Sequence, residues 1–255
     1  MMGKILINCL LVLGVAFGTA TTVSGANDKI VIAVDDNYPP YMYGTTEKAK
    51  GLYPALIEQV FVRTGIEVEV RPLPWEMALK SAEEGHAAIG GLYKNNARLE
   101  IYDYSEPLFE ERLSVYVKKG RAFDFTQLSD LQGKIIGLTR GWSYGEEFDA
   151  ARKDYNFTVE EDISNEGNFR KLVSDKIDCL ILDQVAASRI IHRENLGDQV
   201  EKLDNPAAVN HTYIAFAKHL EKQGVLNRFN QVLEDMKNVG SYEQLIQNFI
   251  TNPSE

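Results

Sequence analysis

Apolar and polar residues follow two alternating patterns along the chain, one typical of strands and one typical of helices. Residues 29–35 (KIVIAVD) form a short β-rich run, and residues 66–71 (IEVEVR) alternate apolar and polar side chains. Strict alternation predicts a half-buried strand. Between these runs, residues 54–64 carry apolar side chains at helical spacing and end at Gly65, a residue type that often terminates helices.

The same succession continues and predicts two β-α-β series, one in each half of the chain. Such series are typical of mainly parallel sheets with helices on both faces. The further predicted helices cover residues 75–84, 144–155, 168–175, 184–194, 219–238 and 241–250, and the further strands cover residues 87–91, 134–139, 158–159 and 179–182.

Two extended segments, residues 113–118 and 212–217, lie between the series. This order predicts two α/β lobes joined by two crossings. Lobe 1 would consist of residues 27–116 plus 215–255, and lobe 2 of residues 117–214. In open α/β sheets ligands bind at the carboxyl ends of the strands, so we expect a cleft between the lobes that closes by a hinge motion.

The first 26 residues have the pattern of a secretory signal peptide. A positively charged start precedes an apolar stretch over residues 5–17, and small residues follow at 24–26. The apolar run is short for a membrane-spanning helix, and no later apolar run is long enough to span a bilayer. We therefore expect cleavage after residue 26, with a cut after Ala20 as the alternative, and a monomeric protein exported to the periplasm.

Composition and charge exclude several other classes of protein. Hydrophobic residues make up 44% of the chain, and 37 Asp and Glu against 27 Lys and Arg give a net charge of −10. An acidic balance argues against nucleic-acid binding and against docking on anionic lipid. The cysteines and histidines have no metal-site spacing, so no metal or cofactor is expected. Cys179 lies in an apolar run and is predicted to be a buried, inert thiol.

Five motifs in order carry a resemblance to a known family: Asp35-x-x-Tyr38-Pro39-Pro40-Tyr41, Gly51-Leu52-Tyr53, residues 91–98 with 102–109, residues 131–137 with Arg140-Gly141, and residues 178–187. Over residues 28–250 the chain resembles the bacterial extracellular solute-binding protein family 3, the polar amino-acid type of periplasmic binding protein that serves ABC transporters. The resemblance implies a type II periplasmic-binding-protein fold, two α/β lobes with a ligand cleft between them.

The resemblance also implies two charged ligand-binding residues. Arg98 occupies the carboxylate-binding position, where a planar guanidinium can form two parallel hydrogen bonds with a carboxylate. The alternative for Arg98 is an exposed surface ion pair. Asp183 follows a strand and would accept a hydrogen bond from a ligand ammonium, and its alternative role is that of a helix N-cap.

Aromatic and small residues complete the predicted binding site. Tyr38 and Trp75 are candidate walls, with lobe packing as the alternative. Gly91, Tyr93 and Ser143 are predicted at the rim. Members of the family often carry small hydroxyl residues at the first two of these positions, so their absence puts a standard α-amino acid ligand in question.

Other carboxylates are assigned to structural roles. The glutamate pairs at 83–84 and 110–111 are expected on solvated faces, and Asp35 and Asp103 at turns and strand ends. None of these carboxylates is nominated as catalytic.

The resemblance predicts a binding protein and not an enzyme. It would capture an amino acid or similar zwitterion and deliver it to an inner-membrane ABC permease. The alternatives are a same-fold enzyme, such as a cyclohexadienyl-dehydratase-like protein, and a stand-alone periplasmic sensor.

Overall fold

The computed structural model describes residues 29–45 and 48–251, so the predicted signal peptide lies outside the described residues. The strands, β1 to β12 in chain order, are Ile30–Asp35, Asn37–Tyr38, Met42–Thr45, Lys48–Lys50, Val68–Leu73, Ala88–Tyr93, Tyr102–Tyr104, Phe109–Lys118, Ile135–Thr139, Thr158–Asp162, Cys179–Asp183 and Val200–Ala217. The α-helices, α1 to α8, are Leu52–Thr64, Trp75–Glu83, Asn96–Ile101, Glu146–Asp154, Asn165–Val173, Gln184–Arg193, Gln223–Asn238 and Ser241–Thr251.

The central sheet consists of two parallel groups of strands joined by two long antiparallel ones. Its order is β10-β9-β11-β8-β12-β6-β1-β5, and β7 pairs with β12. β1 is parallel to β5 and β6, and β9 is parallel to β10 and β11. β8 and β12 pair antiparallel and connect the two groups. The fold is therefore two α/β lobes joined by two crossings.

The elements arise where the hydrophobic pattern predicts them. In α1, Leu56, Ile57, Val60 and Phe61 have no exposed surface, which matches their helical spacing. Gly65 ends the helix in the left-handed conformation, with φ 71°, which a glycine adopts without steric cost. Each predicted helix and strand lies within a few residues of its expected position, except at the start of β12.

Several elements were not predicted. The short strands β2, β3 and β4 form a separate antiparallel sheet, and α3 and β7 are also short. β12 extends the expected segment by many residues, because its pairing with β8 continues through register shifts at Lys202, Pro206 and Ala208. The predicted lobe boundaries, at residues 116/117 and 214/215, fall within β8 and β12.

Two hydrophobic clusters pack on the sheet. The larger combines lobe 1 with α5 and α6, and the smaller covers residues from β8, β9 and α4. Cys179 has no exposed surface, which confirms the expected buried thiol, and burial raises its pKa to about 12. Within residues 29–45 and 48–251, no helix combines the length and apolarity that crossing a bilayer requires.

Candidate functional site

A small cavity lies between the lobes, beside the carboxyl ends of β1 and β6. Its volume is about 30 Å³, which is small but enough to admit water. Its lining residues come from both lobes and are Tyr38, Met42, Trp75, Gly91, Tyr93, Arg98, Glu111, Trp142 and Ser143. The structure thus brings together all the predicted ligand-binding residues except Asp183.

Arg98 reaches this cavity from the short helix α3. The Asn95 side chain caps the helix by accepting a hydrogen bond from the Arg98 amide at 2.8 Å. The guanidinium donates to the Tyr93 carbonyl at 3.1 Å, and burial lowers its pKa. No carboxylate of the described residues lies within 4.0 Å of it. Because a buried charge without an ion pair is unfavourable, this guanidinium is suited to an incoming carboxylate.

Glu111 supplies a negative group on the same cavity. It is 1% exposed, and it accepts hydrogen bonds from the hydroxyls of Tyr38, at 2.6 Å, Tyr53 and Tyr93. The expectation that residues 110–111 form a solvated face is wrong for Glu111. Side chains of a strand alternate between its faces, so Glu110 points outward and Glu111 inward. The sequence did indicate an inward position, because Glu111 lies two residues before the apolar Leu113 and residues at this spacing share one face of a strand.

The surroundings of Glu111 set its protonation. Burial is the main cause that raises its pKa to about 7, and the charge of Asp183 adds to this effect. The three tyrosine hydrogen bonds oppose the shift because they favour the ionised carboxylate. Each hydroxyl gives its single proton to Glu111, so the oxygens of this network are left as hydrogen-bond acceptors.

Asp183 lies outside the cavity. It is 2% exposed and caps α6 by accepting from the amides of Val185 and Ala186 at 2.8 and 3.2 Å, which confirms the N-cap interpretation. It also accepts from the Tyr41 hydroxyl at 2.6 Å and the Arg112 amide at 3.2 Å. Burial raises its pKa. Contact between Asp183 and a ligand stays a prediction.

Gly91 lines the cavity at a position where the packing leaves no room for a side chain. Its φ of 77° lies in the left-handed region, and a Cβ there would lie 2.7 Å from the Met42 sulfur. A side chain at this position would be strained and would collide with Met42, which lines the cavity. The absence of a hydroxyl at residue 91 therefore has a local steric cause.

Aromatic rings fill most of the cleft around the cavity. The rings of Tyr38 and Trp142 meet edge to face with centroids 4.5 Å apart, and Tyr38 contacts Tyr41 at 5.1 Å. Tyr41 stacks on Tyr53 at 5.3 Å. Both Tyr38 and Trp75 are buried and line the cavity, so they form walls and contribute to packing at once.

The two tryptophans hold the lobes together across the cleft. The indole nitrogen of Trp75 donates to the carbonyl of Gly141 at 3.2 Å, and that of Trp142 donates to Asp35 at 3.3 Å. Burial raises the pKa of Asp35 to about 6. These bonds join residues from the two predicted lobes, so the structure represents a closed arrangement.

Polar contacts at the mouth of the cleft strengthen the closed arrangement. Glu146 accepts from the backbone and side-chain nitrogens of Asn96 at 2.8 and 2.7 Å. Asn95 donates to the Ser143 hydroxyl at 3.3 Å, and that hydroxyl donates to Asp149. Ser143 thus lines the cavity with its hydroxyl already hydrogen bonded.

A second, larger cavity of about 360 Å³ shares Trp75 and Trp142 with the first. Its charged lining consists of Asp35, Asp36 and Glu76 against the single cation Arg140. The two indoles therefore lie between a very small space beside Arg98 and a wider acidic one.

Two curated relatives are similar in sequence to this chain. The L-cystine-binding protein TcyJ of Escherichia coli (strain K12) is 22% identical over 219 residues, which cover 85% of this chain and 80% of the relative. The arginine-binding extracellular protein ArtP of Bacillus subtilis (strain 168) is 23% identical over 226 residues, covering 88% of this chain and 86% of the relative.

Solved structures share the fold at similar identity. A histidine kinase sensor domain with similarity to periplasmic binding proteins superposes with a TM-score of 0.76 at 20% identity, covering 87% of this chain and 96% of that one. An ancestral arginine-binding protein bound to arginine superposes with a TM-score of 0.73 at 22% identity. The superposition covers 87% of this chain and 97% of that one. These likenesses establish the periplasmic-binding-protein fold.

The model of one family matches almost the whole described chain, residues 30–252. This range includes both lobes and every residue that lines the interlobe cavity. The chain belongs to the bacterial extracellular solute-binding proteins, family 3.

Proposed function

We propose that this protein is exported through its N-terminal signal peptide and captures an amino acid or similar zwitterion between its lobes in the periplasm. It delivers the solute to an inner-membrane ABC permease. Family membership and the relatives named for binding cystine and arginine support the solute class. The observation that carries the proposal is the Arg98 guanidinium, which lines the interlobe cavity without an ion-pair partner among the described residues.

The chemistry of Arg98 favours a carboxylate ligand. A guanidinium binds a carboxylate through two parallel, charge-assisted hydrogen bonds, and these are stronger where water is excluded. Arg98 already donates one bond to Tyr93, and that bond fixes its orientation toward the cavity. Preorganisation of this kind lowers the entropic cost of binding.

The closed cavity requires the lobes to separate before a solute enters. Small-molecule sites have volumes of roughly 300 to 1,000 Å³, whereas the cavity beside Arg98 has about 30 Å³. Hinge motion about β8 and β12 would break the contacts of Trp75 and Trp142 and would open this space to the larger cavity.

A thermal-shift screen tests the proposed function. Purified mature protein, residues 27–255, is melted with each of the twenty amino acids and with cystine. A solute that binds the folded state raises the melting temperature by mass action. We expect at least one saturable increase. No shift with any of these compounds, at millimolar concentration and in the pH range 6 to 8, would contradict an amino-acid-binding function.

A same-fold enzyme is the second candidate, and Glu111 is the observation that favours it. A buried cleft carboxylate whose pKa is raised to about 7 has the character of a general acid. Mass spectrometry of each compound after prolonged incubation with the protein separates the two functions. Unchanged mass supports a binding protein, and loss of water or of a carboxylate from a compound supports an enzyme.

A further inference from the structure

We propose that Glu111, and not Asp183, is the acidic group that meets the ammonium of a bound zwitterion. The inference rests on the proposed function and assigns the residue that recognises the second pole of the ligand. It follows from two features of the closed cleft: the position of the two carboxylates and the chemistry of the neighbouring hydroxyls.

Position separates the two carboxylates. Glu111 lines the same small cavity as Arg98, whereas Asp183 does not line it. Asp183 lies behind Tyr41, whose hydroxyl it holds at 2.6 Å. A zwitterion whose carboxylate contacts Arg98 therefore has Glu111 as the acidic group on the cavity wall.

Hydrogen-bond capacity leaves an acceptor site on both carboxylates, so position decides between them. An ionised carboxylate has about four lone-pair sites. Asp183 uses one oxygen for Tyr41 and the amides of Val185 and Ala186, and the other for the amide of Arg112. Oδ1 thus has three protein donors and Oδ2 has one, so a lone pair on Oδ2 remains.

Glu111 keeps one acceptor site. One of its oxygens, Oε2, accepts from Tyr38 and Tyr93, and the other, Oε1, accepts from Tyr53 alone. A lone pair on Oε1 therefore remains for a ligand donor.

The tyrosines around Glu111 make the wall selective for cations. Tyr38 and Tyr93 line the cavity and donate their protons to Glu111, so their oxygens present only lone pairs to a ligand. An ammonium has three protons to donate and no lone pair, which matches such a wall. A ligand carboxylate placed there would be repelled by the Glu111 charge.

The test compares an amino acid with its deaminated analogue, in which hydrogen replaces the α-ammonium. The probe is the amino acid that gives the largest thermal shift, and its affinity and that of the analogue are measured by calorimetry at pH 8 on the mature protein. Glu111→Gln and the matched variant Asp183→Asn are compared with the wild type. Circular dichroism without ligand reports folding of each variant.

We expect the wild type to prefer the amino acid over its analogue and E111Q to lose at least about tenfold of that preference, as for a lost hydrogen bond to a charged group. D183N should keep the preference. If Glu111 had a purely structural role, E111Q would bind both compounds more weakly by the same factor, and this result would overturn the inference. Loss of the preference in D183N alone would also overturn it.

A co-crystal structure of the wild type with the same amino acid decides the question if E111Q does not fold. An ammonium nitrogen within about 3.2 Å of a Glu111 oxygen supports the inference. An ammonium bound to Asp183 overturns it and leaves the proposed function standing. Absence of binding by any amino acid contradicts the proposed function itself, and the inference falls with it.

Discussion

The buried carboxylate of Glu111 should make the stability of the protein depend on pH. Its pKa is raised from 4.5 to about 7 in the folded state, mainly by burial. In the unfolded chain it titrates near its ordinary value. Between these values the folded state binds more protons, so the free energy of unfolding decreases as pH rises and levels off above about 7.

The size of this effect follows from the shift in pKa. One pKa unit corresponds to about 1.4 kcal/mol, so a shift from 4.5 to about 7 corresponds to about 3 kcal/mol of unfolding free energy. Most of this loss falls between pH 5 and pH 8. In Glu111→Gln the side chain does not titrate, and this part of the pH dependence should disappear.

Urea denaturation from pH 5 to pH 8 measures the difference between wild type and E111Q. The raised pKa values of Asp35 and Asp183 contribute to both proteins, so the comparison measures Glu111 together with its coupling to Asp183. Glu110→Gln is the matched control, because Glu110 lies on the exposed face of the same strand, and it should keep the wild-type slope. Equal slopes in wild type and E111Q would refute the buried, titrating carboxylate.

Three further predictions follow from the closed cleft. Gly91→Ala should destabilise the protein by about 1–3 kcal/mol in urea, because its Cβ would lie 2.7 Å from a methionine sulfur; wild-type stability would refute the close packing. Glu146→Ala removes both bonds to Asn96 and should increase the radius of gyration of the ligand-free protein in solution scattering; an unchanged radius would show that these bonds do not hold the lobes. The chain has two tryptophans, and both line the cavity, so a bound amino acid should change the fluorescence, and Trp142→Phe should reduce the change; no change on binding would place the ligand elsewhere.

The fold was predictable because its signals are local. The alternation of residues 66–71 and the helical spacing before Gly65 depend on neighbouring residues, and these elements lie where the pattern places them. β12 was predicted too short, because its first part is fixed by pairing with β8 through two register shifts. Long-range pairing of this kind leaves no periodic signal in one segment.

The site was predictable where a motif supplied position and chemistry. Arg98, Tyr38 and Trp75 line one cavity, and their contact with a ligand stays a prediction. Glu111 was missed because two adjacent glutamates are typical of a solvent-exposed face. Its position two residues before the buried Leu113 in β8 nevertheless places it on the inward face of the strand. The closed state also depends on contacts between distant segments, such as that of Trp142 with Asp35, which a linear pattern cannot predict.

Calorimetric titration of the mature protein with the amino acid that gives the largest thermal shift tests the central claim, which is that Arg98 holds the carboxylate of a solute between the lobes. Wild type should bind one molecule per chain, and Arg98→Ala should weaken binding by about a hundredfold, as expected for a lost charge-assisted pair. Arg71→Ala is the control, because Arg71 is an exposed residue paired with Glu69. Binding by R98A that equals wild-type binding would contradict the account.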